Sequence, residues 1–484
     1  MPSVHKWKSL DALIFLIAGC LLAAIPVANH LLLRTYALDL GFYTHALFEY
    51  RQFRLADSDM LLAFHEPHLA SHFDLYLPLI SPLSWIFGSW TLLLVQWLPV
   101  LMAGVAIRRY IQPTDPWVAR FAQLGFYAFY GIHNALAFDY HSNVVAACLL
   151  PWMFVALKNE KRMQAAFWLV LIWLGKENMS LWMVFVGLGW ALDRRSQRAQ
   201  RNWGLWAAFV SLVYFIAVMG WWMPALSSSG GYRGFLYHFA LGDTPLEALS
   251  YVLAHPFDAA KLFLYHKLGD AAPAAYKVEL FQFLLLSGLA VLALRPAWLL
   301  MVFPILAQKL WHDSPFMWGI GSQYSVEFAP LLILGAFELF AGLRIRPWAF
   351  VLALVQLSGI LAVNAMNATE TVVYNEKTRL RIFQREHYSQ DALDVDEVRR
   401  YISKQIPQDA SVSAASPLVP HLAFREDIYE FPLLKDAQHM ILLPGISVYP
   451  VDPNCFDALM EEIRATGQWK LMHEGPGWSH YMKQ

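Results

Sequence analysis

Apolar runs of helix length recur along this chain, and short polar knots separate them. The runs lie near 10–30, 89–107, 117–132, 143–157, 164–175, 178–192, 203–222, 279–294, 297–311, 326–342 and 348–364. A hydrocarbon core takes roughly 20 apolar residues per helix, so the pattern predicts an all-α polytopic membrane protein with about 11 transmembrane helices. The stretch 72–88 is also apolar but carries Asp74, Pro78 and Pro82, and it reads as a helix at the interface in the first outer loop. Gly41–Phe53 is amphipathic and belongs to the same loop.

The pattern changes from about residue 365. Charge rises, and the apolar spacing of Leu393, Val395, Val398, Tyr401 and Ile402 predicts a helix over Asp391–Ile406. "SVSAAS", "HMILLP" and "WKLMHEG" predict strands, and Phe456–Thr466 predicts a second helix. The expected organisation is a transmembrane domain over 1–364 and a small extracytoplasmic α/β domain over 365–484.

Orientation follows from the lysine and arginine bias of short loops. With Lys6 and Lys8 in the cytoplasm, Arg108, Arg109, Lys158, Lys161, Arg162, Arg194, Arg195, Arg198, Arg201, Arg295, Arg344 and Arg346 all fall inside. The opposite loops 133–142 and 312–325 contain neither lysine nor arginine. Counting 72–88 as a full span would reverse every later loop, which supports the interfacial reading. The expected location is a prokaryotic cytoplasmic (inner) membrane, with the N-terminus cytoplasmic and the C-terminal domain outside. Leu10–Ala28 reads as a retained first span, since it lacks a clear small-residue cleavage site.

Composition agrees. The chain is 57% hydrophobic and 15% charged, with a formal net charge of −1. No basic block exists to bind nucleic acid. Three cysteines, Cys20, Cys148 and Cys455, support neither a disulfide framework nor a cysteine zinc site. Phosphate-binding glycine loops, nucleophile elbows and HExxH motifs are missing from the sequence.

The polar knots collect on the outer side, which points to one extracytoplasmic site, because ionisable groups near membrane depth usually face a cavity or one another. Asp39 could take a proton from a hydroxyl or cap the following helix. His65, Glu66, His68, His72 and Asp74 crowd into "FHEPHLASHFD". His65, His68 and His72 would share one face of a continuous helix and could ligate a divalent metal ion, but Pro67 breaks that register, and a hydrogen-bonding loop is the alternative. Asp139 and His141 could orient substrate hydroxyls or form an Asx turn. Lys176 and Glu177 could meet a phosphate as a point charge and its partner, or close a helical hairpin as a pair. His312 and Asp313 precede Pro315 in an outer loop, Gln323, Tyr324 and Glu327 follow at the mouth of a span, and Tyr324 could donate to a sugar or phosphate oxygen. Arg233 in the long outer loop could grip a phosphate bidentately.

Several segments carry a resemblance: "LDLGFYTHALFEY", "HFDLYLPLISPL", "FDYHSNVVAACLLPWMF", "GKENMSLWMVFVGL", "LGDTPLEALSYVLAHP" and "QYSVEFAPLL". In this order they resemble the prokaryotic membrane-protein family catalogued as domain of unknown function two thousand and seventy-nine. That family in turn resembles the GT-C fold polyprenyl-phosphate-dependent glycosyltransferases. The resemblance implies a GT-C-like fold and sugar transfer from a polyprenyl-phosphate donor to an acceptor hydroxyl of a glycan, lipid or protein. It implies Asp39 as the catalytic base, although Leu40 stands where some GT-C enzymes carry a second acid. A transporter or lipid-handling protein without catalysis is the rival, disfavoured by the lack of an internal repeat.

Overall fold

The computed structural model describes residues 4–56, 60–61, 66–227, 238, 240–265, 271–369 and 382–484. The chain is mostly helical, with a small sheet near the C-terminus. It packs into two compact units. One comprises Met1–Ala23, Ala70–Asp74 and Val95–Leu380; the other comprises Ala24–Leu69, Leu75–Leu94 and Arg381–Gln484.

The expected apolar runs fall on helices. These include Thr91–Ile111, Ser142–Lys158, Glu177–Leu192, Arg198–Ala217, Pro296–Leu310, Phe328–Ala341 and Arg346–Thr369. The run 117–132 is broken, because the helix Pro116–Tyr127 ends at Ala128 and a second begins at Tyr130. Asp115 starts the first of these by accepting from the Trp117 and Val118 amides at 2.9 and 3.1 Å, the usual device for orphan N–H groups at a helix start. Among the described residues, five helical stretches are long and apolar enough to cross a membrane: Ser9–Leu31, Tyr76–Ile111, Arg198–Leu226, Ala274–Leu292 and Arg346–Thr369. Five more helices are apolar but 10–17 residues long.

The stretch 72–88 is not one helix. It is a chain of short turns, Tyr76–Ile80, Ser81–Leu83 and Ser84–Phe87, ending at Gly88 with φ +52°. Pro82 and the positive φ of Gly88 interrupt helical geometry there.

Glu177–Leu192 is fixed by close backbone approach. A Cβ on Gly187 would lie 2.6 Å from the Gly204 carbonyl, and one on Gly189 would lie 2.5 Å from the Ala297 carbonyl. Only a residue without a side chain lets these helices meet so closely. At one end of this packing Arg295 joins Asp193 (2.7 Å) and Glu338 (2.6 Å). Trp298 donates to Asp193 at 3.0 Å, and Tyr110 donates to Glu338 at 2.7 Å.

The second unit holds the sheet, with strands β1 Val412–Ala414, β2 Ile428–Glu430, β3 His439–Leu442, β4 Trp469–Gly475 and β5 Trp478–Lys483. Their order is β2-β1-β3-β5-β4, with β1 parallel to both neighbours and β5 antiparallel to both. Helices Val395–Gln405 and Pro453–Ala465 are capped by Asp394 and Asp452. Three of the strands and both helices match the sequence expectation; β2 and β5 were not foreseen. Tyr429, Phe431, Met440, Met460 and Tyr481 form the core on one side.

Candidate functional site

Away from the Arg295 triad, the same helices carry a second polar cluster at their other ends. The N-termini of Ser142–Lys158, Glu177–Leu192 and Phe328–Ala341 and the C-terminus of Pro296–Leu310 border a narrow cleft. Asn143, Lys176, Asn178, Gln308, Lys309, Gln323, Tyr324 and Glu327 line it. Its three predicted residues are Lys176, Gln323 and Tyr324.

Lys176 is held by His72. The His72 Nδ1 lies 3.3 Å from Glu177 Oε1, and its Nε2 lies 3.4 Å from the Lys176 ammonium. An ammonium can only donate, so Nε2 must accept and Nδ1 must carry the proton. The ring is therefore the neutral bridge between a cation and a carboxylate. Burial and the Lys176 charge lower the His72 pKa, which favours that state, although Glu177 pulls the other way. The second Glu177 oxygen accepts from the Phe73 amide at 3.1 Å. Glu177 thus anchors the 72–73 backbone, and Lys176 and Glu177 do not form the simple hairpin pair that was the alternative.

Lys309 is 2% exposed and donates to the Gly319 carbonyl at 3.0 Å. Glu327 is buried and accepts from Asn143 at 2.7 Å. Neither Lys176 nor Lys309 forms an ion pair with a carboxylate among the described residues. Two amide oxygens of the lining, Gln323 Oε1 and Asn178 Oδ1, are buried without a hydrogen-bond partner. Cations without a carboxylate partner and acceptors without donors are both costly to keep in a protein interior. A ligand with an oxyanion and hydroxyl groups satisfies both.

Lys309, Asn143 and Asn178 lay outside the predicted set, and Glu327 was placed at the mouth of its span without a role. A signal for Lys309 was present: it is a lone cation near the end of an apolar run, and such residues are functional candidates by default. Asp139 and His141 are buried and organised by Gln96. Gln96 Nε2 donates to the Asp139 carbonyl at 2.7 Å, and its Oε1 accepts from the His141 amide at 2.7 Å. Asp139 adopts φ +52°, and the His141 ring stacks on Phe138. His312 belongs to a neighbouring cluster. Its Nδ1 accepts from the Ser314 amide at 2.9 Å, and its ring meets His238 edge-on. Burial and the nearby His238 lower its pKa to about 4. Asp74 is 1% exposed. His65 and Arg233 lie outside the described residues.

In the second unit, Asp39 occupies a distorted turn, Ala37–Gly41, with φ +78°. That backbone is rare for a residue with a side chain, and such outliers cluster at functional sites. The cap position of helix Phe42–Tyr50 falls on Gly41, not on Asp39. The turn is held by later residues of the same unit. The Ala37 amide donates to Ser416 Oγ at 3.1 Å, and a Cβ on Gly41 would lie 2.8 Å from Val419. Arg34, just before the turn, donates to the Glu386, His387 and Ser389 carbonyls. His68 Nδ1 pairs with Tyr50 Oη at 2.9 Å, and Glu66 is 7% exposed. His68–Ser71 is a single helical turn, so His68 and His72 do not present one helical face. Among the described residues, no group of three or more His, Cys, Asp or Glu side chains is placed to hold a metal ion.

A family described as predicted membrane protein (DUF2079) matches residues 29–445. The chain belongs to that family. With its apolar helices it is a multi-pass membrane protein. Among solved structures it is similar to ArnT from Cupriavidus metallidurans, crystallised bound to undecaprenyl phosphate. That likeness has a TM-score of 0.53 at 12% sequence identity and covers 99% of this chain and 98% of the other. At that identity it establishes the fold, which is the GT-C-like one expected from the sequence. No curated protein matches the chain.

Proposed function

We propose that this protein is a membrane glycosyltransferase that takes a sugar from a polyprenyl-phosphate donor and passes it to an acceptor hydroxyl. The observation that carries the proposal is the cleft of the first unit. It pairs two cations without carboxylate partners, Lys176 and Lys309, with two buried amide oxygens that lack donors, Gln323 and Asn178. A sugar phosphate complements that set. The cleft measures about 20 Å³, so a sugar phosphate would enter only as the helix ends part; its phosphate oxygens would then meet the ammonium groups and its hydroxyls would donate to the amides. The similarity to ArnT, whose structure holds undecaprenyl phosphate, supports a polyprenyl phosphate as the lipid.

In glycosyl transfer the acceptor oxygen attacks the anomeric carbon, the bond to the donor phosphate breaks, and the acceptor loses its proton. Negative charge grows on the leaving phosphate. Lys176 and Lys309 would stabilise it where it develops, which is the usual source of the largest rate effect. His72 would keep Lys176 in place. Independently of the cleft, Asp39 is our proposed base for the acceptor proton, the role the family resemblance implies. Tyr324 would donate to the sugar or phosphate, with Asp139 and His141 positioning substrate. We further propose that residues 365–484 form an extracytoplasmic domain and that the N-terminus is cytoplasmic, from the loop charges.

The test replaces Asp39 with Asn in the producing cell. Polyprenyl-linked sugars are then compared, by mass spectrometry, among wild type, a deletion strain and the variant. The expected result is that D39N accumulates the same donor as the deletion while the protein stays in the membrane at wild-type level. A wild-type lipid profile in D39N would remove Asp39 as the base. An unchanged profile in the deletion strain itself would remove glycosyl transfer.

A further inference from the structure

The second unit holds a cavity of its own. It is about 600 Å³ in volume and is bordered by Leu33, helix Val395–Gln405 with the turn that follows it, and the Leu418–Arg425 segment. Its charged lining has one sign. Arg399, Lys404 and Arg425 contribute to it, and no aspartate or glutamate does. His421, Gln405 and Gln408 add hydrogen-bonding groups.

Arg425 is the informative residue. It is only 4% exposed. Its Nε donates to the Leu422 carbonyl at 2.9 Å, and its Nη1 reaches the Ala410 carbonyl at 2.9 Å and the Pro407 carbonyl at 3.5 Å. These carbonyls orient the guanidinium but do not neutralise it. Nη2 makes no hydrogen bond to the protein among the described residues. Among the described residues Arg399 donates to the His30 carbonyl, at 3.1 Å, and feels Asp396 one turn earlier without a close ion pair. Buried charges are normally paired, because desolvating one without a counter-ion is expensive. Here three cations border one cavity; Arg425 is buried, Arg399 half-buried and Lys404 exposed, and the buried one has no ion-pair partner among the described residues. His421 stacks on His30 at 4.1 Å, and its Nε2 is buried with no hydrogen-bond partner.

We propose that this cavity binds a sugar-sized molecule bearing an oxyanion, a phosphoryl or carboxylate group. The guanidinium fork of Arg425 is held in place in advance, which suits planar or tetrahedral oxyanions. The volume lies within the range of small-molecule sites, roughly 300–1,000 Å³, and exceeds what a bare ion needs. The proposal rests on this unit alone and stands whether or not the chain transfers sugars.

The test uses the full-length protein in phosphatidylcholine nanodiscs. Thermal melting is followed with glucose 1-phosphate, glucuronate or neutral glucose added, and separately in nanodiscs containing phosphatidic acid. Either anion should raise the Tm in a saturable way, and glucose should not. The double variant R399Q/K404Q keeps Arg425 and its backbone contacts. It should melt like wild type without ligand and need at least tenfold more anion for the same shift. Stabilisation by phosphatidic acid alone would assign the oxyanion to a lipid headgroup, with the same loss expected in the double variant. The proposal is overturned if no anion stabilises the protein, if glucose does so equally, or if the double variant responds as wild type does.

Discussion

The helices of the first unit carry a charged cluster at each end, and the two clusters are built on opposite principles. At one end Arg295 is shared by Asp193 and Glu338, while Trp298 and Tyr110 take up further carboxylate oxygens. Lys158 nearby donates to the Tyr110 carbonyl at 2.7 Å. Two acids share one guanidinium, and both carboxylates are held. At the other end Lys176, Lys309 and Glu327 share a cleft without forming an ion pair with one another, and two amide oxygens lack donors. A closed network locks helices together, whereas an open one keeps its valences for something else. The difference teaches which polar cluster is structural and which is a candidate for chemistry, although both are equally conspicuous as polar breaks in a greasy sequence.

The comparison can be broken most sharply at Arg295. Replacing it with Met leaves two carboxylates without their cation, a change that costs about 3–5 kcal/mol when a buried pair is cut. The expected outcome is a large drop in melting temperature and in recovered monodisperse protein, read by thermal unfolding in detergent. Melting close to wild type would mean that the triad is not what holds these helix ends.

A smaller effect on the fold, and a larger one on binding, is expected at the open end. Lys309→Met and Lys176→Gln should each leave unfolding within about 1 kcal/mol of wild type, since neither removes an ion pair. Each should weaken undecaprenyl phosphate binding in nanodiscs about 10–100-fold, the worth of a charged hydrogen bond of about 1.5–3 kcal/mol. Native mass spectrometry can measure this. Unchanged binding in both variants would separate the cleft from the lipid phosphate.

The smallest effect concerns pH and the C-terminal sheet. His439 Nδ1 and His480 Nε2 lie 3.0 Å apart, and Tyr401 Oη bonds the other His480 nitrogen at 3.0 Å. Burial, then the neighbouring His439 and His473, lower the His480 pKa from 6.5 to about 4. The folded form therefore resists a proton that the unfolded chain accepts. Stability is fully present above pH 6.5 and is lost as pH falls from 6.5 towards 4. His480→Gln should flatten that stretch of the melting-against-pH curve. An equal slope in the variant would assign the loss to other groups.

Local structure was largely legible. The apolar runs became helices and "WKLMHEG" became strand β4, whereas the helix expected over 72–88 is a series of short turns. Local backbone preference and hydrophobic pattern carry that information. Strand β2 escaped because it is three residues long and buried throughout, so it shows no alternation. The histidine spacing in "FHEPHLASHFD" was less informative. Only one helical turn forms there, and His68 and His72 bond to different partners, Tyr50 and Glu177. The Asp39 turn was also beyond reading, since its geometry depends on Ser416 and Val419 in a distant part of the chain.

By itself the sequence determined the membrane class, the helical runs, the α/β tail and the family resemblance, because each rests on composition or on order along the chain. Only the tertiary structure decided which polar residues meet. His72 finds Glu177 across 105 residues of sequence, and Lys309 lines the same cleft as Lys176 because the close-packed glycines of Glu177–Leu192 bring neighbouring helices into contact. A side chain's chemistry is written in the sequence. Whether its charge is cancelled depends on neighbours that packing supplies, and that cancellation is what separates the triad from the cleft.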